Sequence, residues 1–208
     1  MDDTERWNDA VRHLSRADAR LARVIERVGP CRLAPTGVAR PFEALVETIV
    51  YQQLTGKAAA TIYGRLCTQL RAPLTPRKLL AAPEEKLRAA GLSGPKIRSI
   101  ADLAQRVHSG ALALDRLDAL SDAEVAERLL AVKGIGPWSV QMVLIFRLGR
   151  PDVWPVSDLG IRKAAQATWA MRALPAPEEL ERRGARLAPY RSIAAWYLWR
   201  SLEPSPPG

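Results

Sequence analysis

Apolar residues recur every three or four positions along most of the chain, which is the spacing that gives a helix one buried face. The first such run extends from Arg6 to Val28, where we predict one helix that Gly29-Pro30 ends. Two further runs, Phe42–Val50 and Ala58–Leu70, predict helices on either side of a break at residues 52–56. Convincing alternation of apolar and polar residues is absent. The pattern therefore predicts an all-α protein of about ten helices.

Capping residues mark several helix starts in the second half of the chain. Ser121-Asp122-Ala123-Glu124 has a hydroxyl at the cap and a carboxylate three residues later, which is the pattern of a capping box. Further helices are predicted over Lys96–His108, after the turn at residues 91–95, and over Leu159–Met171. We find no internal repeat and no low-complexity tract, and residues 204–208 are predicted to be a frayed tail.

Composition adds a strong excess of positive charge to this helical pattern. The 208 residues include 31 Lys and Arg against 22 Asp and Glu, which gives a formal net charge of +9. Hydrophobic residues make up 48% of the chain, enough to bury a sizeable core and to exclude intrinsic disorder. Such a charge on a short chain points to a polyanionic partner, of which nucleic acid is the leading candidate.

Metal-ligating residues are too few to build a cluster. The chain has two cysteines, Cys31 and Cys67, and two histidines, His13 and His108, none of them closely paired. A four-cysteine zinc site and an iron–sulfur cluster are therefore excluded, and we expect no metal held by side chains. The acidic start of the chain is unlike a signal peptide, and no apolar run reaches 18 residues. We expect a cytoplasmic protein without a membrane partner.

The segment 129–140 contains the most informative motif. A predicted helix runs into Gly134 and Gly136, which are separated by one apolar residue, and Pro137 begins the next helix at once. Backbone amides at such a turn, beside a helix N-terminus, form an anion site. An ordinary helix–turn–helix corner also requires glycine. The net charge favours the interpretation as a phosphate-binding hairpin.

A second candidate, Asp158, lies at the end of the loop 150–158 and directly before the helix predicted to begin at Leu159. Its simplest role is to cap that helix, since Asp is a preferred cap residue. Ser157 could cap equally well, which would leave Asp158 for another task. The helix dipole favours an ionised carboxylate at this position, where it could face a developing positive charge.

In combination, these motifs resemble the helix-hairpin-helix (HhH-GPD) DNA glycosylases and, within them, the DNA-3-methyladenine glycosylase II branch. The resemblance covers about Phe42 to Trp199 and rests, in chain order, on Ile49-Val50-Tyr51-Gln52-Gln53-Leu54-Thr55, Gly91-Leu92-Ser93-Gly94-Pro95-Lys96, Lys133-Gly134-Ile135-Gly136-Pro137, Asp158 and Pro189-Tyr190-Arg191-Ser192.

That resemblance implies a single catalytic unit over residues 1–203, built of two small subdomains with the active site in the cleft between them. One subdomain would contain about residues 42–150 with the hairpin at 129–140, and the other residues 1–41 and 151–203. We expect no counterpart of the additional N-terminal domain that some members carry.

Roles for individual residues also follow from the resemblance. Asp158 corresponds to the catalytic aspartate of the family, and Gly134 and Gly136 to the hairpin that binds phosphate. Hairpin carbonyls in this family also hold a monovalent cation, Na⁺ or K⁺, against DNA. Gln53 or Leu54 corresponds to the wedge that fills the gap left by a flipped nucleotide. Further DNA contacts are expected from Lys133, Ile135, Ser139 and Lys96.

The base pocket implied by the resemblance has two tryptophans. Trp138 occupies the position of the nucleophilic lysine of lyase-type relatives, and Trp199 corresponds to a second pocket aromatic. Met142, Leu159 and Trp154 are expected to complete the wall, although some relatives carry aromatic residues in place of Met142 and Leu159. Each tryptophan has core packing as its simpler alternative.

The activity implied is monofunctional hydrolysis of the N-glycosidic bond of 3-methyladenine and 7-methylguanine, without strand cleavage and without a cofactor. We expect a monomer that acts on damaged double-stranded DNA in the nucleoid. Two alternatives stay open: another lesion, such as hypoxanthine or etheno-adenine, and a non-catalytic helix-hairpin-helix DNA-binding protein. The second would need neither Asp158 nor the two indoles, so their presence together favours an enzyme. An iron–sulfur glycosylase is disfavoured by the lack of cysteines.

Overall fold

The computed structural model describes residues 6–35 and 40–203, and it shows helices and no strand in these ranges. The predicted tail at residues 204–208 lies outside the described residues. The α-helices are α1 Asn8–Ala17, α2 Ala19–Val28, α3 Pro41–Tyr51, α4 Gly56–Leu70, α5 Pro76–Leu80, α6 Glu84–Ala89, α7 Gly94–His108, α8 Asp122–Leu130, α9 Pro137–Phe146, α10 Leu159–Thr168, α11 Pro177–Gly184 and α12 Arg191–Ser201. Short 3-10 helices cover Leu117–Ala119 and Ala185–Leu187.

Two units divide the described residues. The first unit lies within the ranges 1–35 and 149–208 and contains α1, α2 and α10 to α12. In it, α12 packs against α1, α2 and α10. The second unit lies within residues 36–148 and contains α3 to α9. There, α7 packs against α3, α5 and α6, and α9 packs against α3 and α8.

The prediction of one helix from Arg6 to Val28 is wrong, because the chain leaves the helical conformation at Asp18. The backbone of Asp18 is extended, with φ −149° and ψ 111°, and separates α1 from α2. Its carboxylate accepts hydrogen bonds of 2.9 Å from the amides of Arg20 and Leu21, so that Asp18 caps α2. The indole N–H of Trp169 donates a third, of 3.0 Å, to the same buried carboxylate.

Twelve α-helices are present in the described ranges where about ten were expected, and the division at Asp18 adds one of them. The sequence pattern placed neither α11 nor α12. Helix α10 ends at Thr168 rather than at Met171, because Ala170 takes a left-handed conformation with φ +48°. The predicted capping box is confirmed, since Ser121 and Glu124 bond each other's backbone amides.

Each unit has its own apolar core. In the second unit, the fully buried side chains include Val46 and Ile49 of α3 and Leu103 of α7. In the first unit, Leu21 of α2 and Ile161 of α10 are equally buried. Helices α9 and α12 are apolar on nearly all sides, as expected of helices enclosed by their neighbours. In the part of the chain that the structure describes, no helix has the length and apolar character needed to cross a membrane.

Candidate active site

The hairpin joins the end of α8 to the start of α9, and its two glycines have different surroundings. Gly134 has φ +79°, and a Cβ atom there would lie 2.1 Å from Oγ of Ser99 on α7. Both its backbone conformation and its close packing therefore require glycine. Gly136 has φ −109° and caps α9, and a Cβ there would meet nothing within 4 Å. The surface at Gly136 is thus open to the approach of another molecule.

The start of the hairpin is held by Asp102 of α7. Its Oδ2 accepts hydrogen bonds of 2.8 Å from the amide of Lys133 and 2.9 Å from Nε of Arg106. Burial acts to raise the pKa of Asp102, but these two donors outweigh it and hold that pKa below its usual range. The carboxylate is therefore ionised, and the exposed Lys133 adds a positive charge beside the glycines.

Three of the residues expected to contact DNA have their side chains engaged within the protein. Ile135 and Ser139 are 5% and 2% exposed, so both side chains support the hairpin from inside. Nζ of Lys96 donates a hydrogen bond of 2.7 Å to the carbonyl of Val50, at the C-terminal end of α3. Partial burial lowers the pKa of Lys96. The side chains of Ile135, Ser139 and Lys96 thus have structural roles, and contacts of these three residues with DNA stay a prediction.

The loop after α3 presents both candidates for the wedge. Gln53 and Leu54 are exposed, with 40% of Leu54 accessible to solvent. Gln53 has φ +57°, a left-handed conformation that is unfavourable for a residue with a Cβ atom. The preceding residue, Gln52, is turned towards the hairpin and donates hydrogen bonds to Gly134 and Ser139. The positive φ of Gln53 is a strained conformation, and such strain clusters at functional sites.

A groove of about 250 Å³ lies between α3 and α9. It brings Trp138 and Met142 together, as expected, and adds residues that the sequence reasoning missed. The lining consists of Glu47, Thr48, Tyr51, Trp138, Met142, Phe146 and Arg147. The four-residue spacing of Trp138, Met142 and Phe146 along α9 is the signal that could have identified Phe146.

Asp158 is the N-cap residue of α10. The expectation that Ser157 caps this helix and leaves Asp158 for another task is therefore wrong. Its Oδ1 accepts a hydrogen bond of 2.7 Å from the amide of Ile161 and another of 2.9 Å from Nε1 of Trp199. Gly160 makes room for this pair, since a Cβ there would lie 3.0 Å from Oδ1 and 3.2 Å from Cδ1 of the indole. The structure thus brings together two of the residues expected in the site.

The remaining two pocket candidates differ in their surroundings. Leu159, the first residue of α10, is 53% exposed and adjacent to Asp158. Trp154 is 5% exposed, and its Nε1 donates a hydrogen bond of 2.9 Å to the carbonyl of Leu180. A Cβ at Gly184 of α11 would lie 2.4 Å from the same nitrogen. Trp154 is therefore packed as a core residue, and its place in the pocket wall stays a prediction.

The loop that leads to Asp158 is fastened to the start of α12, the helix that carries Trp199. Arg191 donates hydrogen bonds of 2.7 and 2.9 Å to the two carboxylate oxygens of Asp152. The amide of Val153 donates to Oγ of Ser192, and the amide of Ser192 donates to the carbonyl of Pro151. This explains why the segment 189–192 accompanies the aspartate: it fixes the loop and the helix that supply the hydrogen-bonded pair.

Within residues 6–35 and 40–203, no group of three or more His, Cys, Asp or Glu side chains is placed to hold a metal ion. Cys31 and Cys67 are both free, and burial raises the pKa of the Cys31 thiol to about 11.

Comparison with known proteins identifies the family. The HhH-GPD superfamily of base excision DNA repair proteins matches residues 46–189, well over half of the chain. The chain belongs to this superfamily. Its HhH-GPD core includes the hairpin, the groove of α3 and α9, and Asp158.

Several known proteins are similar over nearly the whole chain. An alkylbase DNA glycosidase-like protein of Schizosaccharomyces pombe is 31% identical, with 93% of each protein covered. DNA-3-methyladenine glycosylase 1 of the same organism is 35% identical over 92% of this chain and 86% of its own length. The solved structure of an S. pombe 3-methyladenine DNA glycosylase in complex with abasic DNA has a TM-score of 0.87 and 34% identity, covering 93% of this chain and 96% of that one.

Proposed function

We propose that the protein is a monofunctional DNA glycosylase of base excision repair that releases alkylated purines, 3-methyladenine and 7-methylguanine, from double-stranded DNA. The observation that carries this proposal is the carboxylate of Asp158, held at the N-terminus of α10 by the amide of Ile161 and the indole of Trp199. The names of the similar proteins support the substrate class.

The reaction exchanges the base for water at the sugar carbon C1′. As the C1′–N bond breaks, its electron pair leaves with the base, and the sugar develops positive charge. We assign to the Asp158 carboxylate the stabilisation of that charge, which a fixed anion does well in a site with little water. The oxygen of a water molecule then bonds to C1′, and Asp158 accepts the proton that this water loses. The products are a free base and an abasic sugar.

We assign the leaving base to the groove of α3 and α9. The aromatic rings of Trp138 and Tyr51 and the side chain of Met142 line it. An indole attracts a cationic ring such as 7-methylguanine by stacking and by cation–π interaction, worth about 0.5–2 kcal/mol. Because alkylation already makes the purine a good leaving group, this groove needs no strong acid.

The absence of strand cleavage follows from the residue at position 138. Lyase-type relatives, as the resemblance implies, use a lysine amine there to form a covalent adduct with the sugar. Trp138 offers no amine, so that water remains the nucleophile. The abasic strand should therefore stay intact until another enzyme or alkali cleaves it.

We assign the binding of the DNA backbone to the hairpin, through its open surface at Gly136 and the charge of Lys133. Gln53 or Leu54 fills the gap left by the flipped base. The carbonyls at the end of α8, the negative end of its dipole, suit a sodium or potassium ion, and hard oxygen donors are what such an ion prefers. We propose no other cofactor. Acting on chromosomal DNA as a monomer, the protein would work in the nucleoid.

Release of free base from methylated duplex DNA tests the proposal. Wild-type protein should release 3-methyladenine and 7-methylguanine and leave strands that break only after alkali treatment. Asp158→Asn should reduce release by at least about 10²-fold, the scale of electrostatic and general-base contributions. Asparagine is also a good cap, so the melting temperature should stay close to that of wild type.

Other results would contradict parts of the proposal. Release by Asp158→Asn at the wild-type rate would remove Asp158 from the mechanism. Release of hypoxanthine or etheno-adenine but not of methylated purines would change the substrate. DNA binding without release of any base would indicate a binding protein.

A further inference from the structure

Gln52 occupies the junction between the loop that carries the wedge candidates and the hairpin. It is the C-cap residue of α3, and its side chain is partly buried. Its Nε2 lies 2.9 Å from the carbonyl oxygen of Gly134 and 2.9 Å from Oγ of Ser139. One amide group thus donates to the hairpin itself and to the first turn of α9, 82 and 87 positions further along the chain.

A second hydrogen bond, from α7, fixes the backbone just before Gln52. Nζ of Lys96 on α7 donates to the carbonyl of Val50, two residues earlier. Gln53 follows at once in its left-handed conformation, with φ +57°. A residue with a Cβ atom keeps such a conformation only where its surroundings hold it there. The bonds of Gln52 and Lys96 supply that hold, and Gln53 and Leu54 lie exposed beyond it.

We propose that Gln52 is a positioning residue that sets the wedge loop, residues 52–54, in register with the hairpin. When the hairpin binds the DNA backbone, the bonds of Gln52 transmit that position to Gln53 and Leu54, so that one of them enters the base stack at the lesion. The proposal rests on the proposed function. It assigns to Gln52 no contact with DNA, since both of its donor hydrogens point at protein acceptors.

The test separates DNA binding from insertion of the wedge. The probe is a duplex with a tetrahydrofuran abasic analogue and an adjacent 2-aminopurine, whose fluorescence rises when it is unstacked. Gln52→Leu removes both donors and keeps a side chain of similar size. Gln105→Leu, at an exposed glutamine on α7, is the matched control.

We expect Gln52→Leu to bind the duplex with a Kd within about threefold of wild type, because the backbone of the hairpin is unchanged. Its fluorescence increase should be largely lost, and that of Gln105→Leu should be unchanged.

Excision kinetics supply a second readout. In single-turnover release of 7-methylguanine from duplex DNA, Gln52→Leu should be roughly tenfold slower, the effect expected for hydrogen bonds of ordinary strength. Leu54→Ala and Gln53→Ala identify the wedge. Of these two, the variant with the slower excision marks the wedge. Adding Gln52→Leu to it should not slow excision further, because the effects of residues that act as a unit are not additive.

Three results would overturn the proposal. The first is a full fluorescence increase in Gln52→Leu, and the second is a double variant whose effects are additive. The third is a loss of affinity of more than tenfold together with a lower melting temperature, which would give Gln52 a purely structural role. If wild-type protein releases no base, the proposed function fails, but the fluorescence of the abasic duplex still reports on Gln52.

Discussion

The indole N–H of Trp199 donates a hydrogen bond of 2.9 Å to the carboxylate of Asp158, the residue at the N-terminus of α10. The amide of Ile161 approaches the same oxygen, Oδ1, at 2.7 Å. Two donors on one oxygen fix the rotation of the carboxylate. Since Trp199 is half-buried on α12, it can line a pocket with its ring and hold Asp158 with its nitrogen.

Replacement of Trp199 by phenylalanine separates these two roles. Trp199→Phe keeps an aromatic ring and removes the donor. A hydrogen bond to a charged group contributes about 1.5–3 kcal/mol, so kcat for base release should fall roughly 10- to 100-fold. KM should change little, because the lost contact acts on the carboxylate rather than on the bound base. Steady-state kinetics with a methylated oligonucleotide measure both constants.

Trp196→Phe on the same helix is the control for Trp199→Phe. Trp196 is 7% exposed and packs edge-on against Tyr197, so its replacement should affect the melting temperature more than kcat. A Trp199→Phe enzyme with kcat within twofold of wild type would show that the hydrogen bond to Asp158 does not contribute to turnover.

The two glycines of the hairpin should respond differently to the same substitution. Gly134→Ala places a methyl group 2.1 Å from Oγ of Ser99, at a positive φ. The hairpin must therefore shift, and we expect a loss of about 1–3 kcal/mol of stability, the cost of strained backbone and overpacking. Gly136→Ala meets no neighbouring atom, so its loss of stability should be smaller, at most about 1 kcal/mol for alanine at the N-cap of α9.

Measurements of DNA affinity then distinguish an effect on the binding surface from an effect on the stability of the fold. If the backbone of DNA approaches the open surface at Gly136, the added methyl group of Gly136→Ala should weaken binding more than its small effect on stability explains. Fluorescence anisotropy on an abasic duplex, combined with thermal melting of each variant, measures both effects. An equal melting temperature for Gly134→Ala and wild type would contradict the close packing on α7.

Much of the fold could be predicted from the sequence, because helix periodicity and caps are local signals. The capping box at Ser121 and the helix start at Pro137 are of this kind. The division at Asp18 could not be predicted in the same way. The apolar face continues through it, and the buried partner Trp169 that helps to hold the carboxylate lies 151 positions away.

The candidate site shows the same division between local and distant signals. Asp158 stands before a helix and is recognisable from its neighbours, but its partner Trp199 is 41 positions distant. Trp154 and Trp199 look equivalent in the sequence. Trp154 packs against Gly184 and bonds the carbonyl of Leu180, whereas Gly160 leaves the room that brings Trp199 to the aspartate. Gln52 next to Gln53 poses the same problem, since one turns inwards and the other outwards.

The ion pair between Asp152 and Arg191 should make the stability of the protein depend on pH in a defined direction. Burial acts to raise the pKa of Asp152, but the hydrogen bonds and charge of Arg191 outweigh it and hold that pKa below its usual range. In the unfolded chain the pKa of an aspartate is about 3.9. The stabilisation is therefore complete above that value and is lost as the pH falls through the lower pKa of the folded state.

Asp152→Asn should accordingly lower the free energy of unfolding by about 1.5–3 kcal/mol at neutral pH, the contribution of hydrogen bonds to a charged group. The difference from wild type should narrow as the pH falls below about 4, where the wild-type carboxylate also takes up a proton. Urea titrations at a series of pH values measure this difference. Asp9→Asn, whose ion pair with Arg12 is exposed, should change stability by less than about 1 kcal/mol at any pH. If the free energies of unfolding of Asp152→Asn and wild type differed by the same amount from pH 7 to pH 3, the carboxylate of Asp152 would not stabilise the loop through its charge.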